Sequence, residues 1–156
     1  MIKYLLVLVP LVLVGLYSLS RFMNRPPRYR RRAGDDLSKF FNALLNDEYE
    51  TGLLMIEPDR KRFVQFRLYS KDGERGVEFG FPLAPWSEHY YESLNKILYQ
   101  QGVDYHTVTT GQNTVVSFII VDLKQDLVAA MHLSKLVLLE VFKLKPEDKI
   151  RVSLST

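Results

Sequence analysis

The chain of 156 residues contains no cysteine, which excludes disulfide bonds, zinc sites built from thiolates and cysteine nucleophiles. It also lacks common catalytic motifs, since there is no glycine-rich phosphate loop, no G-x-S-x-G elbow and no H-E-x-x-H pair. The three histidines are not spaced as a set of metal ligands. We therefore expect no catalytic residue, no metal site and no cofactor, and we predict that the protein is not an enzyme.

Acidic residues are missing from the first 34 positions, which carry seven basic residues. Residues 35–156 carry 14 basic and 18 acidic ones, so the net charge of +3 comes from the N-terminal end. A domain that binds nucleic acid needs a basic surface, and the larger part of this chain has an acidic balance instead. We therefore expect no nucleic acid among its partners.

Charge is also absent from residues 4–20, YLLVLVPLVLVGLYSLS, which lie between Lys3 and Arg21. In a helix these residues would extend about 26 Å, at the short end of what crosses a bilayer. The pattern predicts that residues 1–20 form a transmembrane signal-anchor helix. The arginines that follow favour a single-pass membrane protein with its domain in the cytoplasm. The alternative is export after cleavage near Ser20, because Ser18 and Ser20 have the spacing of a signal-peptidase site.

Residues 21–34, RFMNRPPRYRRRAG, are predicted to form an Arg/Pro-rich juxtamembrane linker. Pro26 and Pro27 stop a helix and favour extended backbone. We expect the arginines to contact anionic lipid headgroups, each contributing about 1 kcal/mol near the surface. The residues predicted to make this contact are Arg21, Arg25, Arg28, Arg30, Arg31 and Arg32. A further hypothesis is that this linker is itself the functional element.

Residues 35–156 are predicted to form one soluble α+β domain. A helix is expected after Asp35 and Asp36, and alternating apolar residues predict strands, including a hairpin around Asp72-Gly73. From Gly76 onward the elements follow the order β-α-β-β-α-β, which predicts a ferredoxin-like two-layer sandwich. The first helix and one or two strands would be additions at its N-terminal side.

A long helix is predicted from Leu123 to about Lys145, with Asp122 as its N-cap. At 100° per residue, half of its surface is apolar and suited to pack on the sheet. Four further apolar side chains project among the polar ones and would form a patch of the size found at protein interfaces. The predicted interface residues are Val128, Leu136, Leu139 and Phe142.

Two hypotheses for the function follow. The first is a membrane-anchored, non-catalytic interaction module, a subunit or scaffold of a larger complex, whose anchor raises its effective concentration toward its partners. Its partners would be anionic lipid headgroups and another membrane protein or a second copy of the chain, bound through the helix patch or through an exposed strand edge. The alternative is a ligand-sensing or enzymatic domain that binds a small anionic compound on the polar sheet face, at Arg67, Tyr69, Glu78 and Arg151.

Overall fold

Seven strands form one antiparallel sheet in residues 27–46, 52–111 and 116–155, which our computed structural model describes. The strands are β1 (Arg28–Arg32), β2 (Leu53–Glu57), β3 (Val64–Lys71), β4 (Glu74–Leu83), β5 (His106–Thr110), β6 (Val116–Asp122) and β7 (Lys149–Ser155). Their order across the sheet is β1-β7-β2-β3-β4-β6-β5, so β1 and β5 form the two edges. The helices of the same residues are α1 (Ser38–Asn46), α2 (Tyr91–Gln100) and α3 (Leu127–Leu136). A 3-10 turn (Glu88–Tyr90) precedes α2, and a π-helical turn (Val137–Val141) extends α3.

The hairpin of β3 and β4 forms as its sequence pattern predicts. Its turn residues Asp72 and Gly73 both have positive φ, 54° and 83°, as a two-residue type I′ turn requires. Glycine adopts this backbone without strain, and the twist of such a turn matches the twist of the strands. The prediction of this hairpin is confirmed by the seven residue pairs between β3 and β4, from Gln65–Gly80 to Lys71–Glu74.

All three helices pack on one face of the sheet, where the core lies. Phe41 of α1 makes an edge-to-face contact with Phe66 of β3, with ring centroids 4.8 Å apart. Tyr91 at the start of α2 and Phe142 after the π-helical turn both contact Phe81 of β4, at 6.3 and 5.9 Å. Because these phenylalanines stand at alternate positions of β3 and β4, they project to the same side. Aromatic side chains therefore join each helix to the sheet.

The other face of the sheet, which we call the open face, is not covered by a helix of the described residues. It carries the alternate set of residues, which includes Arg30, Met55, Arg67, Glu78 and Phe118. Charged residues dominate at its β1 end, and apolar residues dominate at its β5 end. This gradient gives the two edges different chemistry.

The predicted ferredoxin-like fold is wrong. That fold would place the last strand next to β4, whereas β7 pairs with β1 and β2. The physical reason is the hairpin described above, because β3 occupies the edge of β4 that the last strand would need. The order β4-β6-β5 is still that of a split β-α-β unit, so the expectation fails only in the position of β7. The protein is a seven-stranded antiparallel sheet with three short helices on one side.

The predicted single-pass membrane location is corrected as well. No helix of the described residues is long and apolar enough to cross a membrane. The helices α1 to α3 have nine or ten residues each, about 15 Å, which is half the thickness of a bilayer core. The predicted span, residues 4–20, lies outside the described residues, as do Arg21 and Arg25.

Part of the predicted linker belongs to the sheet. Residues 28–32 form β1 and pair with β7 in antiparallel register, from Arg28–Ser153 to Arg32–Lys149. On the helix side, Tyr29 packs against Phe40 of α1, with ring centroids 5.3 Å apart. The arginines of this segment are therefore held at defined positions.

Candidate functional site

Three of the four residues predicted to bind a ligand lie together at the centre of the open face. Arg67 on β3 stands opposite Glu78 on β4, and its Nε and Nη2 lie 2.8 and 2.5 Å from the carboxylate atom Oε1. The hydroxyl of Tyr69 donates a hydrogen bond of 2.7 Å to Oδ1 of Asp122. Asp122 was predicted to be the N-cap of the long helix, but it is the last residue of β6. The N-cap is Asp126, which accepts a hydrogen bond of 2.8 Å from the N–H of Ala129.

The electrostatics of this cluster do not favour a small anion. Burial of the hydroxyl, followed by the hydrogen bond to Asp122 and the charges of nearby carboxylates, raises the pKa of Tyr69 to about 12. Tyr69 is therefore a neutral donor at physiological pH, and it already has an acceptor. Arg67 is paired with Glu78, and Asp122 adds a further negative charge. These groups stabilise three neighbouring strands by cross-strand contacts.

Arg151, the fourth predicted ligand residue, lies elsewhere on the open face. It is on β7, which β2 separates from β3. Its neighbours in register are Arg30 on β1 and Glu57 on β2. The structure thus separates Arg151 from the other three residues and places it in a basic region at the β1 edge.

The described residues also contain no group of three or more His, Asp or Glu side chains placed to hold a metal ion. The ring of His89 contacts that of Tyr90 next to it in a tilted arrangement, with ring centroids 3.8 Å apart, and His106 lies on the exposed strand β5.

Of the four residues predicted to form an interface on α3, the structure exposes Val128. This side chain is 73% exposed, whereas Phe142 is 3% exposed and belongs to the core. Leu136 and Leu139 are half-buried and pack against the core. The helix therefore does not present the continuous apolar patch that the sequence pattern indicates.

The π-helical turn explains the difference for Phe142. Its N–H donates to the carbonyl of Val137 at 2.9 Å, five residues back, instead of to the residue four back. Such a turn inserts one extra residue and rotates all later side chains by about 100° around the axis. A face assigned with a constant 100° per residue is therefore displaced beyond this turn.

The first edge of the sheet is formed by β5, a short strand without a formally charged residue or a proline. All five of its residues, His106, Thr107, Val108, Thr109 and Thr110, are exposed. It contains no Lys, Arg, Asp, Glu or Pro, the residues that natural edge strands use to prevent pairing with another chain. Threonine and valine have high strand propensity. The sequence analysis predicted binding through an exposed strand edge without naming the strand. The uncharged composition of β5 was the signal that could have identified it.

An apolar row runs across the open face to this edge. Val108 of β5 lies opposite Phe118 of β6, which lies opposite Pro82 of β4. The next row includes Ile120, which is 6% exposed although it is not part of the core on the helix side. Val108 itself is 39% exposed and ends the row at the edge.

The second edge is formed by β1, and four of its five residues are arginines. Arg28, Arg30 and Arg32 project to the open face, and Arg31 lies on the helix side with its guanidinium 5.5 Å from the centre of the Phe40 ring. A linker was predicted here instead of a strand, because four arginines in five residues are typical of a solvated segment.

No protein-family model, curated protein or solved structure matched the chain in our comparisons. The interpretation of the two edges therefore depends on their geometry and chemistry.

Proposed function

We propose that the chain is a non-catalytic assembly module that associates with a second copy of itself through β5. The observation that carries this proposal is the row Pro82–Phe118–Val108, which ends at an exposed and uncharged edge strand. A second copy of β5 would continue both the backbone pairing and this row of side chains.

The sequence of β5 is suited to pairing with itself. In an antiparallel pair centred on Val108, this residue lies opposite its own copy and His106 lies opposite Thr110. Thr107 then lies opposite Thr109, a pairing that stabilises strands. No two charged residues lie opposite each other in this register, since His106 faces Thr110. The row would then extend over six strands as Pro82–Phe118–Val108 and its symmetric copy.

Pairing of this kind satisfies backbone groups that water otherwise solvates, but it buries little area. A strand of five residues is about 17 Å long, and an interface of this length falls below the standard size of stable complexes. We therefore expect a reversible dimer with a dissociation constant in the micromolar range. Such a contact suits a module that dimerises when its local concentration is high.

The test is the molar mass of the full-length chain as a function of concentration, measured by sedimentation equilibrium. We expect a monomer–dimer equilibrium in the native chain and a monomer in Val108→Lys, because two lysines would face each other on the symmetry axis. Val128→Lys is the matched control, since it makes the same change at an exposed valine on α3. It should dimerise as the native chain does.

A charge exchange separates loss of the interface from loss of folding. Val108→Lys and Val108→Glu should each be monomeric alone, and a mixture of the two should form a heterodimer. A native chain that stays monomeric at all concentrations would overturn the proposal. A Val108→Lys variant that dimerises normally would also overturn it. If Val128→Lys were the only monomeric variant, the interface would lie on α3 instead of β5.

A further inference from the structure

The edge at β1 carries a concentration of positive charge that forms no ion pair with the residues the structure describes. The open face at this edge displays the five cations Arg28, Arg30, Arg32, Lys149 and Arg151. Two pairs of them, Arg30–Arg151 and Arg32–Lys149, lie directly opposite each other, which is unfavourable between strands. In the described residues no ion pair includes any of the five, and Glu57 is the acidic residue in register with them. An anionic partner would relieve this repulsion.

The same strand has exposed backbone groups on its outer side, where the carbonyl of Arg30 accepts a hydrogen bond of 3.1 Å from Nη1 of Arg31 that a partner strand would replace. Ala33 donates its N–H to the carbonyl of Asp148, which continues the register of β1 and β7 beyond the strand. Because hydrogen-bonded pairs alternate along an antiparallel ladder, Tyr29 and Arg31 also point their backbone groups toward β7. Arg28 and Arg30 then point theirs outward, away from the sheet.

The outward direction is confirmed at Arg32, where the pattern ends. Its N–H donates to Oδ2 of Asp35 at 2.9 Å, and its carbonyl accepts the N–H of Asp35 at 3.1 Å. The turn at Asp35 therefore closes the outer side of the strand at this end. Arg28 and Arg30 keep outward backbone N–H groups, for which the described residues provide no acceptor.

We propose that β1 binds an extended segment of a partner protein that carries acidic residues at alternate positions. Such a segment would add an eighth strand to the sheet, with backbone hydrogen bonds to Arg28 and Arg30. Residues directly opposite these two arginines project to the same face as the arginines do, so every second residue of the partner meets a guanidinium. The edge would therefore select a partner segment by its extended backbone and by the spacing of its acidic residues.

This binding is independent of self-association through β5. The two edges are separated by six inter-strand spacings, roughly 29 Å, so both can be occupied at once. A failure at one edge leaves the proposal for the other edge unaffected.

The test measures fluorescence anisotropy of labelled synthetic peptides with the full-length chain. The probe is a peptide of alternating Glu and Thr, and its comparison peptide has the same composition with all Glu residues in one block. We expect the alternating peptide to bind about tenfold more tightly, because in a paired strand all of its Glu side chains project to the face that carries the arginines. In the blocked peptide half of the Glu side chains would project to the other face. Equal binding of the two peptides would overturn the proposal, since it would show attraction to any polyanion.

The variant R28Q/R30Q/R32Q should weaken binding of the alternating peptide by about tenfold or more. The matched control R60Q/K61Q/K96Q removes the same charge from exposed positions away from β1, and it should bind almost as the native chain does. Unchanged binding in the β1 variant would overturn the proposal, as would equal losses in both variants.

Charge reversal guards against loss of folding. The variant R28E/R30E should no longer bind the Glu/Thr peptide and should bind a peptide of alternating Lys and Thr instead. An unfolded chain would not show this change of preference. Oligouridylate and vesicles of anionic lipid are tested as competitors. If either competitor bound more tightly than the peptide and required the same arginines, the proposal of a peptide partner would be wrong. The partner of β1 would then be a nucleic acid or a lipid surface.

Discussion

At the scale of single residues, Tyr69 shows how a side chain can tie three strands together. Its ring lies over Gly76 of β4, where a Cβ atom would stand 2.5 Å from Cζ and Oη of the tyrosine. Glycine at this position therefore leaves the space through which the hydroxyl reaches Asp122 on β6. Asp122 accepts a second hydrogen bond of 2.9 Å from the N–H of Lys124, which fixes the carboxylate.

Replacement of Tyr69 by Phe should lower the free energy of unfolding by about 1 kcal/mol at neutral pH, because one hydrogen bond is lost. Folding raises the pKa of Tyr69 from an ordinary value near 10 to about 12. The stabilisation is therefore complete below pH 10 and is lost as the pH rises toward 12. Urea unfolding at pH 8 and near pH 11.5 should show a difference between the native chain and Tyr69→Phe that shrinks at the higher pH.

The absorbance of tyrosinate gives an independent check of the same prediction. Titration of the native chain at 295 nm should contain a late step near pH 12 that Tyr69→Phe lacks. A stability difference that does not change with pH, together with an unaltered titration, would show that the hydroxyl does not make this hydrogen bond in solution.

At the scale of elements, the π-helical turn after α3 decides which side chains are buried. Phe142 contacts the rings of Phe81 and Tyr90, with centroids 5.9 and 5.1 Å away. The guanidinium of Arg62 lies 5.8 Å from its ring centre and donates a hydrogen bond of 3.4 Å to its carbonyl. The residue is therefore a structural part of the core.

Phe142→Ala should lower the free energy of unfolding by about 3–5 kcal/mol, the range for a large side chain removed from a packed core. Val128→Ala should change it by less than about 0.5 kcal/mol, because this side chain is 73% exposed. Urea unfolding of both variants checks the contrast. If Phe142→Ala kept its stability and lost only self-association, the exposed patch on α3 expected from the periodicity would be real.

Local patterns predicted most of the elements but not their arrangement. Alternation in residues 63–69 and 76–81, with Asp72-Gly73 between them, was enough to predict the hairpin because turn and strands are adjacent in sequence. The position of β7 depends on its pairing with β1 and β2, which lie far earlier in the chain, as the pairs Arg28–Ser153 and Leu53–Ser155 show. Nothing in its own pattern of Ile150, Val152 and Leu154 distinguishes the edge of β2 from the edge of β4.

The candidate sites show the same limit. Arg67, Tyr69 and Glu78 were correctly placed on one face, because they alternate in neighbouring strands of a hairpin. The hydrogen bond from Tyr69 to Asp122 was not foreseen, since β6 joins the hairpin from a distant part of the chain. β1 escaped detection because Tyr29 provides its only apolar side chain.

At the scale of the whole molecule, the two edges differ in whether they can pair with their own copies: charge repulsion opposes self-pairing of β1, and the composition of β5 permits it. Self-pairing of β1 centred on Arg30 would place Arg30 opposite itself and Arg28 opposite Arg32. Like charges in these positions oppose association, whereas β5 carries no charge at neutral His106. If the proposed pairing through β5 is correct, this single permissive edge should limit assembly to a symmetric dimer, because the contact consumes the same surface of both copies.

Removal of the arginines should therefore convert a closed dimer into an open polymer. In R28T/R30T/R32T the β1 edge acquires threonines, which favour strands and carry no charge. Each copy then has two uncharged edges, β5 and the part of β1 at residues 28 and 30 that the turn at Asp35 leaves open, so pairing continues from one copy to the next. Sedimentation velocity should show species larger than a dimer that grow with concentration, and electron microscopy should show filaments. The addition of Val108→Lys to this variant should return it to dimers, which now form through β1. A triple variant that remains dimeric would show that the arginines do not limit assembly and that closure has another cause.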